Sequence, residues 1–320
     1  MIPKPSLDPK GLAAKPLGFH IRQPVVAGIF YPGEKEALVR QISEFLKQTP
    51  EVKKQPVILI VPHAGYQYSG LIAAAGFKQL AEKGYSTVIL LGVSHSAYFE
   101  GAALDENEAW KTPLGRVLID KNLAKKIAEV DPRIFFSSPA HAQEHSLEVE
   151  LPFLQLVLAD FKIVPLLLGQ ADNEFLEVLA DGLAKNITGD TLVVVSTDLS
   201  HYPPYEVANK VDRATIKAIL SGDFQNFEAT TSAQMVKNYP GLETCACGEK
   251  AVGAGMILAK KLGEGEWKLL RYANSGDLAG EKGRVVGYGA IGYFGKFKIE
   301  NEKELESTSK SLSKDKRGSY

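Results

Sequence analysis

The sequence is poor in cysteine, and its two cysteines, Cys245 and Cys247, are separated by a single residue. A pair so close in the chain cannot form an unstrained mutual disulfide, and two cysteines cannot hold a secreted disulfide scaffold together. No segment approaches the roughly 20 apolar residues that a membrane-spanning helix needs. The N-terminal region contains several prolines and no apolar run, so it does not resemble a signal peptide. These absences predict a cytoplasmic protein without a membrane partner.

An excess of charge of either sign is also missing. Lysine and arginine number 37 against 38 aspartates and glutamates, which gives a formal net charge of −1. This balance disfavours a general nucleic-acid or polybasic membrane surface. The share of apolar residues, 45%, is typical of a globular protein, and a chain of 320 residues can bury a large core. The fold therefore needs neither disulfides nor a metal to form.

Buried strands alternate with helical segments through the middle of the chain. Four apolar runs without alternation lie at 57–61, 87–92, 162–168 and 191–196. Such runs are typical of strands buried on both faces. The helices are predicted near 71–83, 121–130, 145–160, 173–186, 206–220, 224–237 and 248–262, and two late strands near 266–274 and 284–294. The alternation predicts an α/β fold, with a mostly parallel central sheet and helices on both faces.

The two ends of the chain differ in composition from this centre. Residues 1–23 are rich in proline and predict an irregular lead-in. Residues 298–320 are highly charged with few large apolar side chains, which is typical of a disordered tail. Because no linker divides residues 24–297, we predict one domain there.

Histidines follow three of the predicted strands, at the edge where parallel α/β sheets bind ligands. His63 comes after the first strand, His95 after the second and His201 after the fourth. A single histidine in such a loop is more often a hydrogen-bonded loop residue than a ligand, but three at equivalent positions favour a shared site. Because neutral imidazole ligates metals and titrates near neutral pH, the cluster predicts metal binding, proton transfer or both.

Cys247 lies directly before the helix predicted at 248–262. A thiol at a helix N-terminus has its thiolate stabilised by the helix dipole, which makes it a ligand or a nucleophile. The alternative is a small buried hydrophobic residue. The nearby histidine cluster favours the functional interpretation of Cys247.

Five short motifs in this order resemble the signature of the Memo family, whose prokaryotic members are called AmmeMemoRadiSam system protein B. They are PHAGY at 62–66, GVSH at 92–95, EHS at 144–146, STDLSH at 196–201 and CG at 247–248. The resemblance extends over 24–294. It implies a fold like that of the class III extradiol dioxygenases, and it implies an AMMECR-type protein and a radical SAM protein as partners.

The resemblance implies a metal site formed by His63, His95 and Cys247. Iron or copper is expected there, with zinc less favoured. Extradiol dioxygenases use two histidines and a carboxylate, so a cysteine in third place makes the donor set softer and suits copper or zinc as readily as iron. Cys245 is left as a redox partner or a packed neighbour.

The remaining site residues are also assigned from the resemblance. Four are expected in catalytic roles: His201 as general acid/base, Asp198 as the residue that orients it, and His145 and Glu144 as residues that contact the substrate or hydrogen-bond the metal ligands. Two are expected to contact the substrate: Tyr66 and Ser94.

Two classes of function follow from this assignment. The first is a metal-dependent oxidoreductase, with dioxygenase-type chemistry on a small planar substrate. The second is a non-catalytic metal-binding or peptide-binding adaptor that retains the cavity.

Three other motifs match known patterns in the wrong context. The sequence HAQEH at 141–145 fits an inverted zincin, but Pro139 predicts that His141 precedes the helix. The glycines of GYGAIG at 287–292 lie in a predicted strand with no helix after it, so a dinucleotide site is disfavoured. GVSHS at 92–96 lacks the last glycine of a nucleophile elbow.

Overall fold

Eleven strands belong to one sheet in the computed structural model, which describes residues 19–50, 55–80 and 84–295. In chain order they are β1 (Ile21–Arg22), β2 (Ile58–Val61), β3 (Thr87–Val93), β4 (Ala102–Leu104), β5 (Ala109–Thr112), β6 (Gly115–Ile119), β7 (Ile134–Phe136), β8 (Lys162–Leu168), β9 (Thr191–Ser196), β10 (Gly265–Asn274) and β11 (Gly287–Gly295). The main path through the sheet is β1-β5-β6-β8-β3-β9-β2-β11-β10, and β4 joins β8 and β7 beside it.

Ten α-helices connect and cover these strands in the described residues. They are α1 (Lys35–Lys47), α2 (Tyr66–Phe77), α3 (Lys121–Ala128), α4 (Ser138–Ala142), α5 (Leu151–Val157), α6 (Asn173–Asn186), α7 (Tyr205–Leu220), α8 (Phe224–Val236), α9 (Glu249–Leu262) and α10 (Ser275–Ala279). Short 3-10 turns lie at Lys78–Leu80 and Glu148–Glu150. Among the described helices, none combines the length and apolar character needed to cross a membrane.

The centre of the sheet is parallel and its edges are mixed. Strands β6, β8, β3, β9 and β2 run parallel to one another, whereas β11 pairs antiparallel with both β2 and β10. At the other edge β5 and β6 form an antiparallel pair, and β4 lies antiparallel to β8. The structure therefore confirms a single-domain α/β fold whose sheet is mostly parallel.

Two apolar cores lie on opposite faces of the sheet. In β2, Ile58 and Ile60 pack into the core that contains residues of α3, α6 and α9, while Leu59 and Val61 pack into the core that contains residues of α1, α2 and α5. Burying one such aliphatic side chain stabilises the fold by about 1.5–3 kcal/mol. Both faces of the central strands are covered, which explains their continuously apolar sequences.

The expected lead-in of residues 1–23 differs from the structure at its end. Ile21–Arg22 pair with β5 as a short strand, and the buried guanidinium of Arg22 forms a 2.7 Å ion pair with Glu148. The Glu148 carboxylate also accepts hydrogen bonds from the backbone N–H of Val25 and of Val26. These contacts tie the first described residues to the domain. The predicted tail at 298–320 lies outside the described residues.

The helix predicted at 145–160 is replaced by a loop, the 3-10 turn and the short helix α5. Backbone N–H groups of His145 and Ser146 bond to the Glu144 carboxylate at 2.8 and 2.9 Å. A side chain that takes these donors competes with helix formation, so the helical pattern fails at this point. Helix α2 begins at Tyr66, earlier than predicted, and the helices α1, α4 and α10 were not predicted.

His141 lies inside α4, not before a helix as Pro139 suggested. Proline is tolerated in the first turn of a helix, where its missing N–H has no intrahelical partner, and Ser137 caps this helix. His145 falls outside α4, so the two histidines do not share a helix face. The glycine motif at 287–292 lies in β11, as predicted, and not in a strand-to-helix turn.

Candidate metal centre

Three adjacent parallel strands bring the site residues to one edge of the sheet. His63 follows the end of β2 by two residues, His95 follows β3 by two, and Asp198 follows β9 by two. Because β9 pairs with both β2 and β3, these three positions are neighbours in space. The carboxyl edge of the sheet therefore collects the residues that the sequence predicted there.

Three histidines form a cluster able to hold a metal ion. One ring nitrogen from each of His63, His95 and His145 lies within 4.8 Å of the others. The ring centroids are 5.3 Å apart for His63 and His95, 5.6 Å for His63 and His145, and 4.7 Å for His95 and His145. The structure thus places His145, which was predicted in a catalytic role, in the group with the two predicted ligands.

The loop that carries His145 reaches the cluster because Gly92 leaves room for it. A Cβ on Gly92 would lie only 2.5 Å from the Leu147 side chain and 3.1 Å from Ser146 Oγ. The Ser146 hydroxyl donates to the carbonyl of Val93 at 2.8 Å, which fixes the loop against the end of β3. The glycine in the GVSH motif therefore has a packing role.

Each imidazole presents its Nδ1 to an oxygen atom of the protein. His63 Nδ1 lies 2.8 Å from Ser196 Oγ, His95 Nδ1 lies 3.1 Å from Glu144 Oε1, and His145 Nδ1 lies 3.3 Å from the same Glu144 oxygen. Such partners orient metal-binding histidines and leave the Nε2 lone pair available. This arrangement fits a metal ion held by three Nε2 atoms.

The electrostatics of the cluster also suit metal binding. Burial lowers the pKa of His63 well below its ordinary value of 6.5, and the neighbouring His95 and His145 lower it further. Burial likewise lowers the pKa of His145. Although burial alone would raise the pKa of Glu144, hydrogen bonds from His95 and Ser146 hold it well below its ordinary value of 4.5. His63 and His145 are thus neutral, as ligation requires, and they lie beside an ionised Glu144.

Cys247 lies at the side of the three-histidine cluster. Its Sγ is 3.3 Å from His63 Nε2 and accepts a 3.3 Å contact from the backbone N–H of Asp198. Burial and the Asp198 charge raise the pKa of this thiol to about 12, so the expected stabilisation of a thiolate by the helix N-terminus is outweighed. Helix α9 nevertheless begins at Glu249, close to the predicted start. Cys245 is buried and packs with its Sγ 3.7 Å from the Thr231 carbonyl.

Asp198 and His201 lie in the same segment but face different partners. The Asp198 carboxylate accepts a 2.9 Å hydrogen bond from the backbone N–H of His63, and burial raises its pKa to about 6. The Nδ1–H of His201 donates to the Leu199 carbonyl at 2.9 Å, so this carbonyl orients the ring. His201 Nε2 is left for proton exchange, and the acid/base role stays a prediction.

The two residues predicted to contact the substrate, Tyr66 and Ser94, have hydroxyl groups that are hydrogen-bonded to the protein backbone. The Tyr66 ring is buried and its hydroxyl donates to the Val149 carbonyl at 2.7 Å. The Ser94 hydroxyl donates to the Ala97 carbonyl at 2.9 Å and accepts from the Ala97 N–H at 3.1 Å. Their substrate role stays a prediction.

Two contributors were missed by sequence reasoning. Ser196, the last residue of β9, contacts His63, and the ring of Phe30 packs edge-on against His145 with centroids 5.0 Å apart. A serine that ends an apolar strand was a usable signal, whereas nothing local marked Phe30. His141 stays outside the cluster, because its Nε2–H donates to the Ala103 carbonyl at 2.9 Å.

Comparison with known proteins agrees with the resemblance found in the sequence. A family model described as Memo-like protein matches residues 22–292. A MEMO1 family protein of Methanopyrus kandleri is 37% identical over 285 residues, covering 84% of this chain and 98% of the relative. Another from Nitrosopumilus maritimus is 36% identical over 279 residues, covering 85% and 98%. The crystal structure of an uncharacterized protein from Escherichia coli K12 covers 73% of this chain and 98% of its own, with 14% identity and a TM-score of 0.47. The family model and the curated relatives span most of the sequence, and the chain belongs to the Memo family.

Proposed function

We propose that this protein binds one redox-active metal ion, iron or copper, at His63, His95 and His145 and uses it in oxidoreductase chemistry. The observation that carries the proposal is the convergence of three imidazoles, each with its Nδ1 close to an oxygen atom of the protein, within 4.8 Å. Three imidazoles suit iron, copper and zinc, so the set of ligands restricts the choice to these metals but does not select one of them.

Cys247 is proposed as a further donor, which keeps the ligand role inferred from the sequence. Its Sγ lies 3.3 Å from His63 Nε2, at the edge of the space between the imidazoles. Because burial raises the pKa of the thiol to about 12, the thiolate would form only as a metal displaces the proton. A thiolate beside three imidazoles would favour copper over a hard cation.

The substrate is proposed to be small and to enter beside Cys247. A cavity of about 220 Å³ is lined in part by Cys247. Its lining also includes the apolar residues Val93 and Leu168 and the oppositely charged residues Glu249 and Lys250. This volume suits a small molecule, in keeping with the small planar substrate expected from the family resemblance.

The residues around the cluster are proposed to handle protons. His201 exchanges a proton at Nε2, because its Nδ1–H is bound to the Leu199 carbonyl. Asp198 holds the backbone of His63 in place and, with a pKa of about 6, is able to share a proton near neutral pH. The bound metal supplies electron transfer or oxygen activation. An AMMECR-type protein and a radical SAM protein are proposed as partners from the family resemblance alone.

Oxygen uptake by metal-loaded protein tests this function. Protein purified without oxygen is loaded with iron, copper or zinc, and uptake is measured with catechol-type substrates and with a reductant. We expect uptake with iron or copper that is lost in His201→Asn and kept in His141→Gln, the control histidine outside the cluster. Metal binding without uptake under any of these conditions would contradict the oxidoreductase and favour the metal-binding adaptor.

A further inference from the structure

A buried polar chain lies behind His63 and is not used by the proposed function. It consists of Ser196 at the end of β9 and Glu150 at the end of the 3-10 turn, and both side chains are fully buried. Ser196 Oγ makes three short contacts: with His63 Nδ1 at 2.8 Å, with the Ser146 carbonyl at 2.7 Å and with Glu150 Oε1 at 2.7 Å.

Counting hydrogen atoms assigns a donor to each contact. A serine hydroxyl has one hydrogen and two lone pairs, and a carbonyl oxygen only accepts. The single hydrogen of Ser196 therefore goes to the Ser146 carbonyl, since no other atom supplies one there. The two remaining contacts must then be donated to Ser196 Oγ, one by His63 Nδ1–H and the other by a protonated Glu150. If Glu150 were ionised, two of the three contacts would compete for one hydrogen.

We infer that Glu150 is a neutral carboxylic acid that donates to Ser196, and that Ser196 holds His63 as the Nδ1–H tautomer with its Nε2 lone pair facing the cluster. Ser196 and Glu150 are then positioning residues for His63. The tautomer does not depend on a metal, but its functional meaning rests on the proposed metal centre.

The second oxygen of Glu150 supports its neutral state. Glu150 Oε2 is buried without a hydrogen-bond partner in the described structure, and leaving an ionised carboxylate so placed is costly. Burial raises the pKa of Glu150 well above its ordinary value of 4.5. The negative charge of Asp198 acts in the same direction, whereas the hydrogen bond with Ser196 lowers the pKa without reversing the shift. The phenol of Tyr66 also faces Glu150, whose charge raises the pKa of that phenol.

The tautomer matters because it is not the one that free imidazole prefers. In water the Nε2–H form of histidine predominates, and that form has no lone pair on the nitrogen that faces His95, His145 and Cys247. Residues that fix a ligating histidine in this way typically contribute about 10–100-fold to metal affinity. Ser196 and Glu150 would thus prepare His63 for binding before any ion arrives.

Nitrogen NMR of histidine-labelled, metal-free protein tests the tautomer directly. We expect His63 to show a protonated Nδ1 and a bare Nε2 at neutral pH. In Ser196→Ala this preference should be lost and metal affinity should fall about 10–100-fold. Ser200→Ala is the matched control, since it removes an equally buried hydroxyl beside Asp212 and should change neither. A protonated Nε2 on His63 in the unmodified protein would overturn the inference.

Infrared spectroscopy tests the proton on Glu150. The unmodified protein should show the carbonyl band of a protonated carboxylic acid at neutral pH, and Glu150→Gln should remove it. Because the glutamine amide can donate to Ser196 in place of the acid, Glu150→Gln should keep the His63 tautomer and metal affinity, whereas Glu150→Leu should weaken binding. No difference in this band between the unmodified protein and Glu150→Gln would refute the neutral acid.

The two proposals fail in different ways. If His63 carries the proton on Nδ1 but the protein binds no metal, the inference stands and the proposed function falls. If metal binds while metal-free His63 is protonated at Nε2, the inference falls alone. The nitrogen NMR spectrum of the unmodified protein is decisive even if a variant does not fold.

Discussion

Replacing Glu144 by glutamine should destabilise the fold as well as the metal centre. The Glu144 carboxylate is 1% exposed and accepts five hydrogen bonds. Oε1 accepts from His145 N at 2.8 Å, Ser146 N at 2.9 Å and His95 Nδ1 at 3.1 Å, and Oε2 accepts from His95 N at 2.5 Å and Ser96 N at 3.3 Å. This one carboxylate therefore joins the loop after β3 to the loop that carries His145.

The magnitude follows from counting acceptors. Glutamine keeps one oxygen and turns the other position into an NH2 group, so in either orientation at least two donors lose their acceptor. Hydrogen bonds to a charged group are worth about 1.5–3 kcal/mol each, which predicts a loss of about 3–6 kcal/mol in the free energy of unfolding for Glu144→Gln. Because the pKa of Glu144 is depressed in the fold, its contribution is present above pH 4.5 and is lost as the pH falls further.

Urea denaturation of metal-free protein measures this change. Glu129→Gln, at the exposed end of α3, is the matched control and should leave the free energy of unfolding within about 0.5 kcal/mol of the unmodified protein. The difference between Glu144→Gln and the unmodified protein should shrink in acid. A loss below about 1 kcal/mol at pH 7, less than a single hydrogen bond to a charged group is worth, would refute the role given to this carboxylate.

Three further predictions concern positions away from the cluster. Gly101→Ala should destabilise the fold by about 1–3 kcal/mol and so lower the thermal midpoint of unfolding, because Gly101 has a φ of +82° and a Cβ there would collide with Arg133. An unchanged midpoint would contradict this. Burial raises the pKa of Asp212, which faces Tyr272, from 3.8 to about 6 in the fold, so its stability contribution is lost as the pH rises through that window. As the pH rises from acid to neutral, the free energy of unfolding of Asp212→Asn should therefore rise by about 3 kcal/mol relative to that of the unmodified protein. Parallel pH profiles of the free energy of unfolding for the two proteins would disprove this. His141→Gln should keep full metal content by elemental analysis, and loss of metal would revive the inverted zincin.

The sequence predicted the parts of the site that depend on sheet topology. Continuous apolar runs identified β2, β3, β8 and β9, and the rule for parallel sheets then brought His63 and His95 together at one edge. Such predictions succeed because burial on both faces leaves a strong compositional signal. The short strands β4 and β7 lack that signal, and they were missed.

The parts of the site that depend on long-range polar contacts could not be predicted. The loop that carries His145 takes its shape from the Glu144 carboxylate, whose partners His95 and Ser96 lie almost fifty residues away in sequence. The role of His145 in the cluster therefore emerged only in three dimensions. The thiolate state of Cys247 was predicted from its position at a helix N-terminus. Its burial reverses this expectation, because burial raises the pKa of the thiol.

Metal stoichiometry in matched variants tests whether His63, His95 and His145 together hold the metal ion. Iron, copper and zinc are each titrated into anaerobically purified protein and measured by elemental analysis and calorimetry. We expect one ion per chain in the unmodified protein, with at least a tenfold loss of affinity in His63→Ala, His95→Ala and His145→Ala and none in His141→Gln. Full occupancy in His145→Ala together with loss in Cys247→Ser would contradict the three-histidine centre and would restore Cys247 as the third ligand.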